Sequence, residues 1–134
     1  SGPLLDRIDL QVTVQPVSSQ HLSATQPAES SATIAQRVTE AIHRSRIRLA
    51  SFGLTRNHQI PVRLFQEPSL QVAPTAKKIL ERALDTGDVT ARGYGRTLRV
   101  AWTIADLLQV GQPTAEHIDM ALYLRLNTGG EHYG

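Results

Sequence analysis

The hydrophobic pattern changes period partway along the chain. Residues 8 to 14 alternate strictly, with Ile8, Leu10, Val12 and Val14 set against Asp9, Gln11 and Thr13. That period of two predicts a strand, which Pro16 ends. From residue 31 onward the apolar positions recur at helical spacing. Ile34, Val38, Ala41, Ile42, Leu49 and Phe52 predict a helix from about Ser31 to Ser51, with Gly53 as its stop. Ile79, Leu80, Ala83 and Leu84 predict the buried face of a second helix over Pro74 to Thr86. Pro74 suits its first position and Gly87 its C-terminal cap. A third helix runs from Thr90 to Gln109 and stops near Gly111 and Pro113. A fourth starts at Thr114 and carries Ile118, Ala121, Leu122 and Leu126.

The stretches between are polar or broken. Residues 15 to 31 are rich in Ser, Gln, Thr, Pro and Ala and read as a linker. Pro61 and Pro68 interrupt residues 54 to 72, where Val62 to Phe65 suit a short turn of helix. The expected fold is all-α: a small helical bundle preceded by one orphan strand and a flexible linker. The expected organisation is a strand segment at 1–17, a linker at 18–30, a helical domain at 31–127 and a frayed tail at 128–134. A lone strand has no pairing partner. Its sheet lies in a missing part of the protein, or the segment is disordered in isolation.

The third helix is the most informative. At about 100° per residue, Arg92, Arg96, Arg99, Thr103 and Asp106 fall in one stripe about 80° wide. Apolar side chains fill the remaining sides, which predicts a helix surrounded by others. Several residues of this helix are locally unfavourable. Thr90 is a good N-cap, which places Arg92 in the first turn, where a cation opposes the helix dipole. Arg92 and Arg96 repel at i,i+4, and Gly93 and Gly95 each cost up to about 1 kcal/mol against alanine. Two readings stand: a slot that meets an anion such as phosphate, or a solvated arginine face.

Composition narrows the chemistry. The 134 residues suit one domain with a modest core. With one Trp, three Tyr and two Phe, that core must be mostly Leu, Ile, Val and Ala. The absence of Cys excludes disulfides, thiolate metal sites and a cysteine nucleophile, and fits a reducing cytosol. No apolar run approaches the length of a membrane span, so no membrane partner is expected. A net charge of +2 is too small to imply nucleic acid by itself. The chain starts without Met, at Ser1-Gly2-Pro3, and is expected to be a fragment or processed product.

Between Arg37 and Arg63 lie six arginines and one acid, Glu40. They form a nucleic-acid or phosphate patch or, as favoured here, a solvated face, since no aromatics interleave. Histidines 21, 43, 58, 117 and 132 lack ligand spacing, so no metal site is expected. Glu116 and Asp119 read as dipole-favouring acids rather than a catalytic pair. No Walker-type loop, HExxH, GxSxG or EF-hand motif occurs.

Two motifs carry a resemblance. Ser1-Gly2-Pro3-Leu4-Leu5-Asp6-Arg7-Ile8-Asp9-Leu10 resembles the arginine-finger segment of magnesium-chelatase-like AAA+ ATPases. The run from Thr90 through Ala91, Arg92, Gly93, Tyr94, Gly95 and Arg96 to Leu107 resembles their sensor-2 helix. The branch most similar is the ComM-type competence proteins. Trp102 stands where these proteins commonly carry a basic residue, and Gly95 where they carry a polar one.

The resemblance implies a C-terminal piece of a ring ATPase: the last strand of the AAA+ core, then the helical lid. It implies Arg7 as an arginine finger acting on a neighbouring subunit. Arg92 would be the sensor-2 contact to ATP, with Arg96 a second nucleotide contact. ATP and Mg2+ would be bound by the full-length protein and neither by this fragment, which should be inactive and monomeric. The implied partners are the rest of the AAA+ core and a homo-oligomeric ring, a hexamer. The implied work is DNA processing in the cytoplasm, in branch migration or transformation. A stand-alone helical DNA- or protein-binding module and the ATPase subunit of a metal chelatase remain as alternatives.

Overall fold

The computed structural model describes Leu10, Val12 and residues 28–126. Four α-helices make up most of it: α1 (Ser31–Leu49), α2 (Pro74–Asp85), α3 (Ala91–Leu108) and α4 (Ala115–Leu126). The described part is thus an all-α bundle, as the pattern implied. The orphan strand, apart from Leu10 and Val12, the linker up to residue 27 and the tail from 127 lie outside the described residues.

Helix boundaries follow the local chemistry. Ser30 caps α1 by accepting from the Thr33 amide at 3.1 Å, and Thr90 caps α3 by accepting from the Gly93 amide at 3.0 Å. Gly53 and Gly87 take positive φ, 71° and 80°, just beyond the ends of the first two helical runs. The stop of α3 differs from expectation. It ends at Leu108 because Gln109 itself adopts the left-handed conformation (φ 62°), ahead of Gly111 and Pro113. The amides of Gln109 and Val110 then satisfy the last carbonyls, those of Asp106 and Ala105. At the start of α4 the imidazole of His117 reaches back, its Nδ1 accepting from the Thr114 amide at 2.9 Å. This is the reciprocal half of a capping box, with His in place of Glu.

α3 is the axis of the domain. Leu98, Ala101, Trp102, Ile104 and Ala105 are buried against Leu49 of α1, Leu80 of α2, and Ile118 and Ala121 of α4. Each fully buried Leu or Ile contributes about 1.5–3 kcal/mol. Two apolar faces are less buried than their spacing implied. Ile34 and Val38 on α1 are 46% and 42% exposed, because α1 joins the core only from Ala41 onward. Leu84 on α2 is exposed too, and the buried stripe there is Ala76 and Leu80.

Between α1 and α2 the chain is a run of four 3-10 turns: Ala50–Phe52, Asn57–Gln59, Val62–Gln66 and Pro68–Leu70. The third contains the turn expected at Val62 to Phe65. The run carries Ile60, Phe65, Leu70 and Val72 into the core. Its buried backbone needs partners, and α3 supplies them. Arg99 Nε donates to the Ile60 carbonyl at 2.8 Å, and Trp102 Nε1 donates to the Leu70 carbonyl at 3.1 Å. Among the described residues, no helix is long and apolar enough to cross a membrane.

Candidate functional site

The polar stripe on α3 divides into two parts. Its C-terminal part is consumed inside the domain. Asp106 is 2% exposed and accepts both prongs of the Arg48 guanidinium, at 2.6 and 2.7 Å. Asn57 Nδ2 donates to the same carboxylate at 2.9 Å and to Thr103 Oγ1 at 3.1 Å, while Asn57 Oδ1 accepts from Arg48 at 2.7 Å. Arg44 adds a bond to the Asp106 carbonyl at 2.8 Å. The stripe therefore is not one open slot. From Arg99 down it is an internal seam holding α1 and the 3-10 run to α3.

The N-terminal part is different. Arg92 sits in the first turn, exposed, and has no carboxylate partner among the described residues. Arg96, one turn on, is half-buried. Thr97 Oγ1 donates back to the Gly93 carbonyl at 2.8 Å, holding the turn between them.

The two glycines of this turn have a packing reason. A Cβ on Gly95 would stand 2.6 Å from Val62 Cγ2 and 3.3 Å from an Arg99 terminal nitrogen. The missing side chain lets the third 3-10 turn lie directly on α3. A Cβ on Gly93 would meet Thr90, Val89 and, at 3.4 Å, the Arg125 guanidinium. The glycine cost seen in the sequence is thus a consequence of close approach, not of an open anion slot.

Arg125 is the residue that the sequence reading missed. It lies in the last turn of α4, only 7% exposed, and its guanidinium reaches the first turn of α3 beside Gly93. The one available signal was a cation within an otherwise apolar helical run. Tyr94 shares this end of α3. Its hydroxyl is held above the usual 10.0 by burial and, secondarily, by the negative charge of Glu81.

The arginines from Arg37 to Arg63, for which the sequence favours a solvated face over a phosphate patch, are not all solvated. Arg37 pairs with Glu29, Arg44 and Arg48 turn inward to Asp106, and Arg56 bonds its neighbour's carbonyl. Among the described residues no group of three His, Asp or Glu could hold a metal ion. What the α3 end can do chemically is present the Arg92 guanidinium, a planar donor fork, to an anion. Arg7 lies outside the described residues.

Residues 28–125 match the family model described as magnesium chelatase, subunit ChlI C-terminal. This chain belongs to the magnesium-chelatase-like family. The part of the chelatase-like domain that matches takes in α1, α2 and α3, and with them Arg92 and Arg96. Similar relatives include proteins named only as uncharacterized from Mycobacterium bovis and Mycobacterium tuberculosis. Each is 35% identical over 125 residues, covering 93% of this chain and 24% of the relative. The chelatase-like chain thus spans about a quarter of the length of the curated relatives it matches.

Proposed function

We propose that this domain is the nucleotide-responsive lid of a magnesium-chelatase-like AAA+ ATPase, and that Arg92 is its contact to ATP. The observation that carries this reading is the exposed guanidinium in the first turn of α3, unpaired with any carboxylate among the described residues. An arginine kept there against the helix dipole fits a site that receives a triphosphate. Arg96, one turn further along, is the second nucleotide contact. Arg7 is the arginine finger, presented to the nucleotide of the adjacent subunit in a ring, a hexamer. Guanidinium forks stabilise the charge that spreads over the transferring phosphoryl group. A finger supplied in trans makes turnover depend on assembly.

ATP fits the cation at the start of α3. Mg2+ has no ligand set among the described residues, so the core of the parent protein would hold it together with the phosphates. The ComM-type resemblance supports DNA processing in the cytoplasm as the parent's task, with branch migration as the step driven. The family match equally accommodates a metal-chelatase motor. A chelation assay with its partner subunits separates the two.

The deciding experiment is Arg92→Ala in the full-length parent. Loss of ATP turnover or of nucleotide response is expected, and wild-type turnover would overturn the assignment. The stand-alone DNA-binding reading predicts salt-dependent DNA binding by this chain itself. It is weakened by the loss of Arg44 and Arg48 to Asp106.

A further inference from the structure

Gly93 is held from three sides. Its amide donates to Thr90 Oγ1 at 3.0 Å, and its carbonyl accepts from Thr97 Oγ1 at 2.8 Å. The third side is the one a side chain would leave by. There the Arg125 guanidinium lies 3.4 Å from where a Cβ would stand, with Thr90 Oγ1 and Val89 Cγ1 at 3.2 Å. Val89, Gly93, Thr97 and Arg125 are all buried.

The neighbours of Gly93 give this arrangement its interest. Arg92 directly precedes it, and Arg96 follows one turn later. The Arg92 side chain is exposed, so the packing fixes its root rather than its tip. The backbone at Gly93 therefore sets the direction in which Arg92 leaves the helix. A donor fork aimed at an anion is sensitive to such a root, because a displacement of about 1 Å can cost on the order of a hundredfold in rate.

Arg125 connects this turn to another helix. It lies in the last turn of α4, where the helix dipole favours a cation, and it faces the start of α3, where the dipole disfavours one. The end of α4 and the start of α3 thus meet at one guanidinium. The space it uses exists because residue 93 carries no Cβ, so Gly93 and Arg125 form a matched pair.

We propose that Arg125 is a positioning residue for Arg92. Its guanidinium, lodged in the space left by Gly93, fixes the turn from which Arg92 reaches nucleotide. Arg125 does not itself touch the nucleotide; it acts through Gly93, and it ties the seat of α4 to the aim of the nucleotide contact. This inference rests on the lid reading of the domain.

The test uses the full-length parent, with ATP turnover and the affinity for a fluorescent ATP analogue as readouts. Thermal unfolding checks that each variant is folded at the assay temperature. Arg125→Met, which keeps much of the length and removes the fork, should lower kcat/KM by about 10- to 100-fold. Gly93→Ala works on the same contact from the other side while gaining helix propensity, and should lower kcat/KM too. On an Arg92→Ala background, each should weaken analogue binding by less than about twofold further, because the residue being positioned is gone. A merely structural role predicts losses that multiply in the double variants. Multiplied losses, or wild-type turnover in Arg125→Met and Gly93→Ala beside an impaired Arg92→Ala, would overturn this proposal and leave the lid reading standing. Should Arg125→Met fail to fold, Gly93→Ala alone and combined with Arg92→Ala decides the matter. Wild-type turnover in Arg92→Ala removes the lid reading, and this inference with it.

Discussion

Arg48 and Asp106 join α1 to α3 through a two-pronged ion pair, and the Arg48 guanidinium lies 4.2 Å from the centre of the Trp102 ring. Carboxylate, aromatic face and Asn57 thus surround one cation whose side chain is 14% exposed. A buried pair of this kind costs desolvation on both sides, so its presence is weak evidence of net stabilisation. Breaking it is another matter, because the remaining charge keeps its burial and loses its compensation.

Asp106→Ala should therefore destabilise the domain by about 3–5 kcal/mol. Replacing both partners, as Arg48→Met with Asp106→Leu, should recover a large part of that loss. Urea unfolding of the two variants checks this. A double variant as unstable as Asp106→Ala would show that the seam contributes more than charge balance.

Gly95→Ala sets helix propensity against packing. Alanine should favour α3 by about 1 kcal/mol, yet its Cβ would stand 2.6 Å from Val62 Cγ2. Overpacking of that kind costs about 1–3 kcal/mol, so a net loss is expected. Val62→Ala on the same background should restore stability, whereas on the wild-type background it should reduce it slightly. The sign reversal, read by thermal unfolding, identifies the contact.

Tyr94 gives a pH signature. Its hydroxyl is raised above 10.0 in the folded state, so above the unfolded value the unfolded chain binds fewer protons than the native one. The contribution is fully present below pH 10 and is lost as pH rises through the folded value. Tyr94→Phe should flatten this part of the alkaline stability profile. The difference between the two profiles isolates it from the other tyrosines and the lysines.

Arg92→Glu should behave unlike a structural change. An acid in the first turn suits the helix dipole, so the domain should become more stable by about 0.3–1 kcal/mol. The same substitution should eliminate nucleotide response in the parent ATPase. A stability gain coupled to a functional loss would mark Arg92 as retained for its ligand. A stability loss would point to an intradomain role.

Much of this architecture was readable before any coordinates. Thr90, Pro74, Gly53 and Gly87 mark helix ends by local chemistry, and local chemistry is what a sequence states directly. The arginine stripe was readable as a stripe, but not its division at Arg99. That division depends on Asn57, Ile60 and Val62, which reach α3 through an irregular run with no period of its own. Arg48 read as surface charge because its partner lies 58 positions away. Arg125 was missed for the same reason: its nearness to Gly93 is a product of how α4 crosses α3, and no spacing encodes it.

The capped start of α3 and its Trp102-centred core segment belong to one unbroken 18-residue rod, about 27 Å long. Its far half is clamped by Arg48, Asn57 and Leu70, while its near tip carries Arg92 into solvent. A pull on that tip cannot be absorbed by bending at a proline or a frayed turn. Any such pull would be passed to the packed bundle as a body, because the near half is itself held, Gly95 against Val62 and Gly93 beside Arg125.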